Sequence, residues 1–280
     1  MLQAPWPSAV RVGEGTGLSS RLWRIGDQLV KHANQPEDAV REAAFYTRWA
    51  PQTGLPLPRL HAHSGDWLVL DWLDGEAGDC LVGASGDRAA AVAEALGRIA
   101  CVAVGDAPPP GLRTVVPAGK ALEQRITKIE NGVRHLHRHF PAFAPLAAGL
   151  PAAYVRAAER LSRRPGALCH ADFHVENLLF PNAGAAGSPG PGVIVLDWQT
   201  VGWAPPAIDV TRFAFEGLAD PTTWRAWAPH AVEGVPDAAI LSLGGFIGSR
   251  WLAQEVLTER QRALLHRSLE HLAIVLGSGP

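Results

Sequence analysis

Leu168-Cys169-His170-Ala171-Asp172-Phe173-His174-Val175-Glu176-Asn177-Leu178-Leu179-Phe180 places two histidines, two acids and an asparagine between two apolar runs. A polar loop held between hydrophobic segments is where functional side chains gather, because rigid elements on either side fix a loop that is free to carry chemistry. After Phe180 the chain is almost entirely Pro, Gly, Ala, Ser and Asn as far as Gly192, a composition with no core of its own. Val193-Ile194-Val195-Leu196 then reads as a second strand. The two strands predict an antiparallel hairpin with a long tip. If Phe180 lies near Val193, Asn177 and Asp197 end close together at the open end of the ladder, within roughly 5 to 8 Å by strand geometry. An amide oxygen and a carboxylate placed so can share one hard cation.

Working outward to the amino-terminal side, glycines occupy positions 13, 15 and 17, followed by Ser19 and Ser20. Leu22-Trp23-Arg24-Ile25 and Gln28-Leu29-Val30-Lys31 flank Gly26-Asp27, which reads as loop, strand, tight turn, strand. Glycine lets backbone N–H groups approach a phosphate because no Cβ intervenes. A glycine-rich hairpin turn would use the same residues. Lys31 ends the second strand, in a chain whose other lysines are only Lys120 and Lys128. A compact ammonium there suits a phosphate, and equally a solvated strand end. Residues 36–50 predict a helix that opens on Pro36, carries Glu37 and Asp38 in its first turn and stops before Pro51. Its expected buried stripe is Val40, Ala44, Phe45 and Trp49. Glu42 borders that stripe and is a candidate partner for Lys31.

Trp67-Leu68-Val69-Leu70-Asp71-Trp72-Leu73 is an apolar strand running into a turn, and marks a crossing between lobes. Helices are expected over 87–102, 118–139 and 151–163, and again toward the carboxyl terminus. Pro205-Pro206-Ala207-Ile208-Asp209 leads into a helix reaching about Gly217, with Asp209 in its first turn. There Asp209 serves either the helix dipole or a neighbouring loop. His135, His137 and His139 scatter round a helix and are read as surface residues.

Composition bounds the function. The 280 residues suit one large domain or two sharing a cleft. With 47% hydrophobic residues, 19% charged and a formal net charge of -2, the chain lacks the basic footprint of nucleic-acid binding. Cys80, Cys101 and Cys169 are odd in number and widely spaced, which argues against a disulfide framework. The absence of an export signal or membrane-length apolar run in the sequence predicts no membrane partner and a cytoplasmic setting.

In this order, His170-x-Asp172-x-x-x-x-Asn177 followed by Val195-Leu196-Asp197-Trp198 resembles the catalytic loop and metal-binding aspartate of the aminoglycoside phosphotransferase and choline-kinase-like family. The resemblance spans most of the chain. It implies an α+β, two-lobed protein-kinase-like fold. The small amino-terminal nucleotide-binding lobe, residues 1–74, would hold an antiparallel sheet and one main helix. The larger, mostly helical lobe, residues 75–280, would be catalytic and substrate-binding. It further implies that Asp172 orients a substrate hydroxyl and accepts its proton, and that Asn177 and Asp197 hold Mg2+. Lys31, steadied by Glu42, would contact the phosphates of ATP under the loop formed by Gly13, Gly15, Gly17, Ser19 and Ser20. Asp71, Trp72 and Leu73 would meet adenine, and His170 and Asp209 would support the catalytic loop. Phosphoryl transfer needs mainly alignment and charge neutralisation, and these residues supply both.

Three departures from the family pattern stand out. Ala171 replaces the usual glycine between the loop histidine and aspartate, and Leu18 stands where a protein kinase has its third glycine. No long activation segment follows Asp197, which favours a small hydroxyl compound over a protein as acceptor. Two other classes use some of the same residues. An oxygenase or hydrolase could bind iron through His170, Asp172 and His174 or His230, but would leave Lys31, Asn177 and Asp197 idle. A catalytically silent kinase fold would need none of the four residues Lys31, Asp172, Asn177 and Asp197. The identity of the acceptor and the oligomeric state are left open.

Overall fold

The computed structural model describes residues 9–12, 20–78, 87–182, 192–216, 233–248, 257–259, 262–263, 265–266 and 269–270. The chain forms two compact units, one of Met1–Val102 with Val175–Val201 and one of Ala103–His174 with Gly202–Pro280.

The first unit is built on a five-stranded antiparallel sheet in the order β1-β2-β3-β5-β4, with β1 Val10–Val12, β2 Ser20–Ile25, β3 Gln28–Ala33, β4 Leu60–Ser64 and β5 Trp67–Asp71. Gly26 turns β2 into β3 at φ 57°, a left-handed conformation that costs glycine nothing. The pairing of Leu22 with Lys31 and of Leu29 with Leu70 sets these side chains on one face of the sheet. Val30 and Trp23 are buried on the other face.

Helix α1, Pro36–Ala44, runs directly into a π-helical segment, Phe45–Trp49, and a last turn α2, Ala50–Thr53. This corrects the expectation that the helix stops before Pro51. The wider π turn bonds Ala50 N–H back to Phe45 O, and Pro51 is tolerated at the start of α2. The buried stripe is corrected too. Val40 is 53% exposed and Ala44 is exposed, while Ala39, Glu42, Ala43, Phe45, Tyr46 and Trp49 are buried. Glu42 therefore stands within the inward face instead of on its border. Helix α3, Asp87–Ala100, buries Val92, Ala95, Leu96 and Ile99 at the expected spacing.

The predicted hairpin is present as β8, Leu178–Pro181, and β9, Ile194–Val195, with Leu178 opposite Val195. A third strand unforeseen in the sequence, β6 Gly75–Ala77, pairs with the other edge of β8. Gly75 permits it, since a Cβ there would fall 2.6 Å from Phe180 O.

The second unit is mostly helical. Its core joins α4 (Gly119–His139), α5 (Ala144–Ala148), α6 (Leu150–Ser162), α7 (Ala207–Glu216) and α8 (Val235–Ile247). A short antiparallel pair, β7 Ala167–Cys169 with β10 Gly202–Ala204, carries the chain into the polar loop. No helix among the described residues is long and apolar enough to cross a membrane.

Candidate active site

Lys31 is placed by β3 on the cavity-facing side of the sheet and is only 4% exposed. Its Nζ donates to Glu42 Oε2 and to Asp197 Oδ1, each at 2.6 Å. Burial by itself would discharge the ammonium, but the Glu42 and Asp197 carboxylates outweigh it and hold Lys31 well above its ordinary range. The two carboxylates differ in access. Glu42 is 1% exposed and committed to Lys31, whereas the Asp197 side chain keeps 31% of its surface. Two carboxylates thus face one ammonium; burial pushes the Glu42 carboxyl up against the pull of Lys31, and Asp197 is the carboxylate that opens to solvent.

Asp197 follows β9 with φ 60°, a left-handed conformation that a non-glycine residue holds only where its surroundings impose it. Those surroundings are well defined. Trp198 is fully buried, stacked on Phe45 at 3.7 Å between ring centroids and 8° between planes, and its indole N–H bonds Val195 O. Gln199 Nε2 donates to Asp197 Oδ2 at 3.4 Å while Arg41 bonds Gln199 O. Leu196 N–H bonds Asn177 O at 2.8 Å, so the hairpin register delivers Asn177 and Asp197 to the same end of the ladder. Asn177 is buried and Asp197 lines the same cavity.

That cavity, about 390 Å³, lies within the first unit. Its lining is polar at Ser20, Lys31, Glu42, Glu176, Asn177 and Asp197, while Val12, Leu22, Leu29, Leu70, Leu179 and Leu196 give it an apolar slot. Asp71, Trp72, Leu73 and Asp74 edge the slot. Asp71 N–H is bonded to Arg59 O and Trp72 N–H to Asp27 O. The Asp71 carboxylate accepts from Arg59 N–H and pairs with His61. Hard oxygen donors on Asn177 and Asp197, which line this cavity, fit a cation such as Mg2+.

In the second unit the polar loop rests on Asp209, in the first turn of α7. The buried Asp209 carboxylate accepts N–H from His170 at 2.7 Å and from Ala171 at 2.8 Å, and the Cys169 thiol lies 3.2 Å away. Burial pushes the Asp209 carboxyl up, against His170 and these amides, which draw it down. Ala171 takes φ 66°, the conformation that a glycine would adopt freely. His170 is fully buried, edge-on to Phe173, and its Nδ1 accepts Asp172 N–H at 3.2 Å. His170 thus braces the loop. Among the described residues no three His, Cys, Asp or Glu side chains stand together as a metal-binding group.

Asp172 Oδ1 accepts from Arg212 Nη2 at 2.9 Å, and Oδ2 lies 3.5 Å from His174 Nε2. Burial works to raise this carboxyl. The His174 hydrogen bond and the charges of Arg212, His174 and His170 outweigh that and hold Asp172 well below the usual carboxylate range. Arg212 was missed in the sequence, although a signal existed. It lies three residues after Asp209, so if Asp209 faces the loop from α7, Arg212 shares that face.

Eight of the expected site residues, Ser20, Lys31, Glu42, Asp71, Trp72, Leu73, Asn177 and Asp197, thus line one cavity. His170, Asp172 and Asp209 come together in the second unit. Gly13, Gly15, Gly17 and Ser19 lie outside the described residues, as does His230.

A sequence model of the phosphotransferase enzyme family matches residues 15–240. The chain belongs to this family. No protein of curated function matches it in sequence. Solved structures show the family's fold at low identity. The GDP complex of wild-type aminoglycoside 2'-phosphotransferase-IIIa is 16% identical, with a TM-score of 0.61 over 96% of this chain and 92% of that one. ADP-bound aminoglycoside phosphotransferase APH(2'')-Ib is 13% identical, with a TM-score of 0.60 over 95% and 93%. A choline/ethanolamine kinase family protein from Mesorhizobium loti is 16% identical, with a TM-score of 0.58 over 96% and 87%. The fold is α+β and kinase-like, as the resemblance implied.

Proposed function

We propose that this phosphotransferase transfers the γ-phosphoryl group of ATP to a hydroxyl of a small molecule. The observation that carries the reading is Lys31 Nζ held at 2.6 Å from both Glu42 and Asp197 inside the 390 Å³ cavity. A buried ammonium fixed between two carboxylates is expensive to build and is suited to meeting polyphosphate. Residues 1–74 act in this reading as the nucleotide-binding lobe and 75–280 as the catalytic and acceptor-binding lobe. The apolar slot takes adenine, with Leu73 N–H as donor. Lys31 meets the α- and β-phosphates, and the loop of Gly13, Gly15, Gly17, Ser19 and Ser20 covers them.

Asn177 and Asp197 would hold Mg2+, which when bound neutralises phosphate charge. Asp172 accepts a hydrogen bond from the acceptor hydroxyl and aims its oxygen at the γ-phosphorus. The new O–P bond forms as the bond to the β–γ bridging oxygen breaks, ADP leaves, and the hydroxyl proton passes to Asp172. A carboxylate held below its ordinary range is a weak base, so its main contribution is orientation, with proton transfer late. A loose transition state asks for no more. His170 and Asp209 keep the loop in shape. The exposed thiol of Cys101 and the buried one of Cys169 suit a cytoplasmic protein.

The experiment is a screen of hydroxyl compounds by Mg2+- and ATP-dependent ADP release. The expected result is release that depends on acceptor and is lost in Asp172→Ala and Asp197→Ala. Transfer by Asp172→Ala at near wild-type rate would overturn the assignment of the base.

A further inference from the structure

Gln199 lies two residues after Asp197, in the 3-10 turn Trp198–Thr200, and is only 5% exposed. Its main chain is fixed from α1, because Arg41, itself paired with Asp38, donates to Gln199 O. Its side-chain amide stands between two groups of the cavity wall, accepting from the Ser20 hydroxyl and donating to Asp197 Oδ2, each at 3.4 Å. A carboxylate only accepts, so the amide nitrogen must face Asp197 and the amide oxygen Ser20. Among the described residues the Asp197 carboxylate has two hydrogen-bond partners, Lys31 on Oδ1 and Gln199 on Oδ2.

We propose that Gln199 is a positioning residue for Asp197, holding Oδ2 so that Oδ1 is left to a divalent cation, with Arg41 as its anchor. The inference rests on the reading of Asn177 and Asp197 as the cation's holders. Lys31 cannot be what fixes the carboxylate during turnover, because phosphate competes for the same ammonium. Once Nζ turns to phosphate, Gln199 is the partner that stays. Being neutral, it orients Asp197 without cancelling the charge that attracts a cation. The two amide contacts are long, so the place of the amide is set mainly by the main chain, through Arg41 on its carbonyl and Trp198 stacked on Phe45 immediately before it. Asp197 needs such support, since its φ of 60° is held only by its surroundings. Carboxylates that hold metals are oriented by hydrogen bonds of this kind, and losing one lowers metal affinity about 10- to 100-fold.

The test is Mn2+ binding with ADP present, read by electron paramagnetic resonance, in wild type, Gln199→Met, Arg41→Ala and the double variant. Gln199→Met keeps the length of the side chain and removes the amide. It should raise the dissociation constant for Mn2+ about tenfold or more. Arg41→Ala, at a side chain 24% exposed, should raise it by a smaller factor. The double variant should bind as weakly as Gln199→Met alone, because both changes act on one amide. Unchanged affinity in Gln199→Met would overturn the proposal, whatever happens to its urea midpoint. If Gln199→Met does not fold, Arg41→Ala decides, and affinity equal to wild type overturns the proposal. Factors that multiply in the double variant would overturn the role of Arg41 as anchor. Wild-type protein that binds no Mn2+ with ADP would overturn the reading of Asn177 and Asp197 as the cation's holders, whereas normal wild-type binding that the variants leave unchanged removes Gln199 alone.

Discussion

The Lys31 cluster and the Asp172 loop each bring opposite charges together, yet they are assembled in contrary ways. Lys31, Glu42 and Asp197 come from a strand, a helix and a hairpin end, up to 166 positions apart, and two of the three are almost wholly buried. Asp172 lies in a short loop whose shape is fixed by amide bonds to one carboxylate, and it keeps 28% of its side-chain surface beside Arg212. A buried cluster has no water to replace a missing partner, so its members serve stability and binding at once. The Asp172–Arg212 pair, 28% and 25% exposed, is less completely buried, and water can partly replace a missing partner. Stability and chemistry should therefore separate in the second region and stay joined in the first.

The largest effect expected is on catalysis in the loop. Asp172→Ala should lower kcat about 10²- to 10⁴-fold, the usual scale for a positioned acid or base, while the urea midpoint falls less than in Glu42→Ala. A large fall in that midpoint would show the loop aspartate to be a folding residue as well.

Glu42→Ala should instead move both quantities. Breaking a buried pair costs about 3 kcal/mol, the low end of the usual range because Asp197 still faces Lys31, and KM for ATP should rise with it. Urea denaturation and ATP kinetics on the same protein check this. Unchanged stability would place the Lys31 cluster in the same class as the loop.

Acid stability offers a subtler contrast. Asp172 is held below its unfolded value, so its contribution is present above the ordinary carboxylate range near pH 4 and is lost as pH falls through the lower folded value. Removing the Arg212 charge raises the folded value toward the unfolded one. Arg212→Gln should accordingly begin acid unfolding at higher pH than wild type, followed by circular dichroism. A curve superimposed on wild type would mean that Arg212 does not set the charge state of Asp172.

The smallest effect belongs to Ala171→Gly. Releasing the methyl group from φ 66° recovers about 1 kcal/mol of left-handed strain, and the added freedom of the unfolded chain removes roughly 0.4–1 kcal/mol. The thermal midpoint should shift by only a few degrees, with kcat within about twofold of wild type. A tenfold rise in kcat would mean that Ala171 distorts the loop.

What could be read in advance follows the range of the forces involved. The hairpin turn at Gly26-Asp27, the pairing of Leu178 with Val195 and the resulting approach of Asn177 to Asp197 all follow from alternation and turn chemistry over a few residues. The polar loop and its Asp209 support were legible for the same reason, since each is marked by residues of unusual type at fixed local spacing. Whether Glu42 bordered the buried face or stood within it was not legible, because the π segment at Phe45–Trp49 changes the helical phase and Val40 and Ala44 turn outward. Nor were the strand at Gly75–Ala77, the second carboxylate on Lys31 or the guanidinium on Asp172. Each depends on which distant surfaces meet, and the residues facing any given charge are chosen by packing. The loop that opened the reading carries its motif in its own letters. The charge around its aspartate comes from a helix forty positions away.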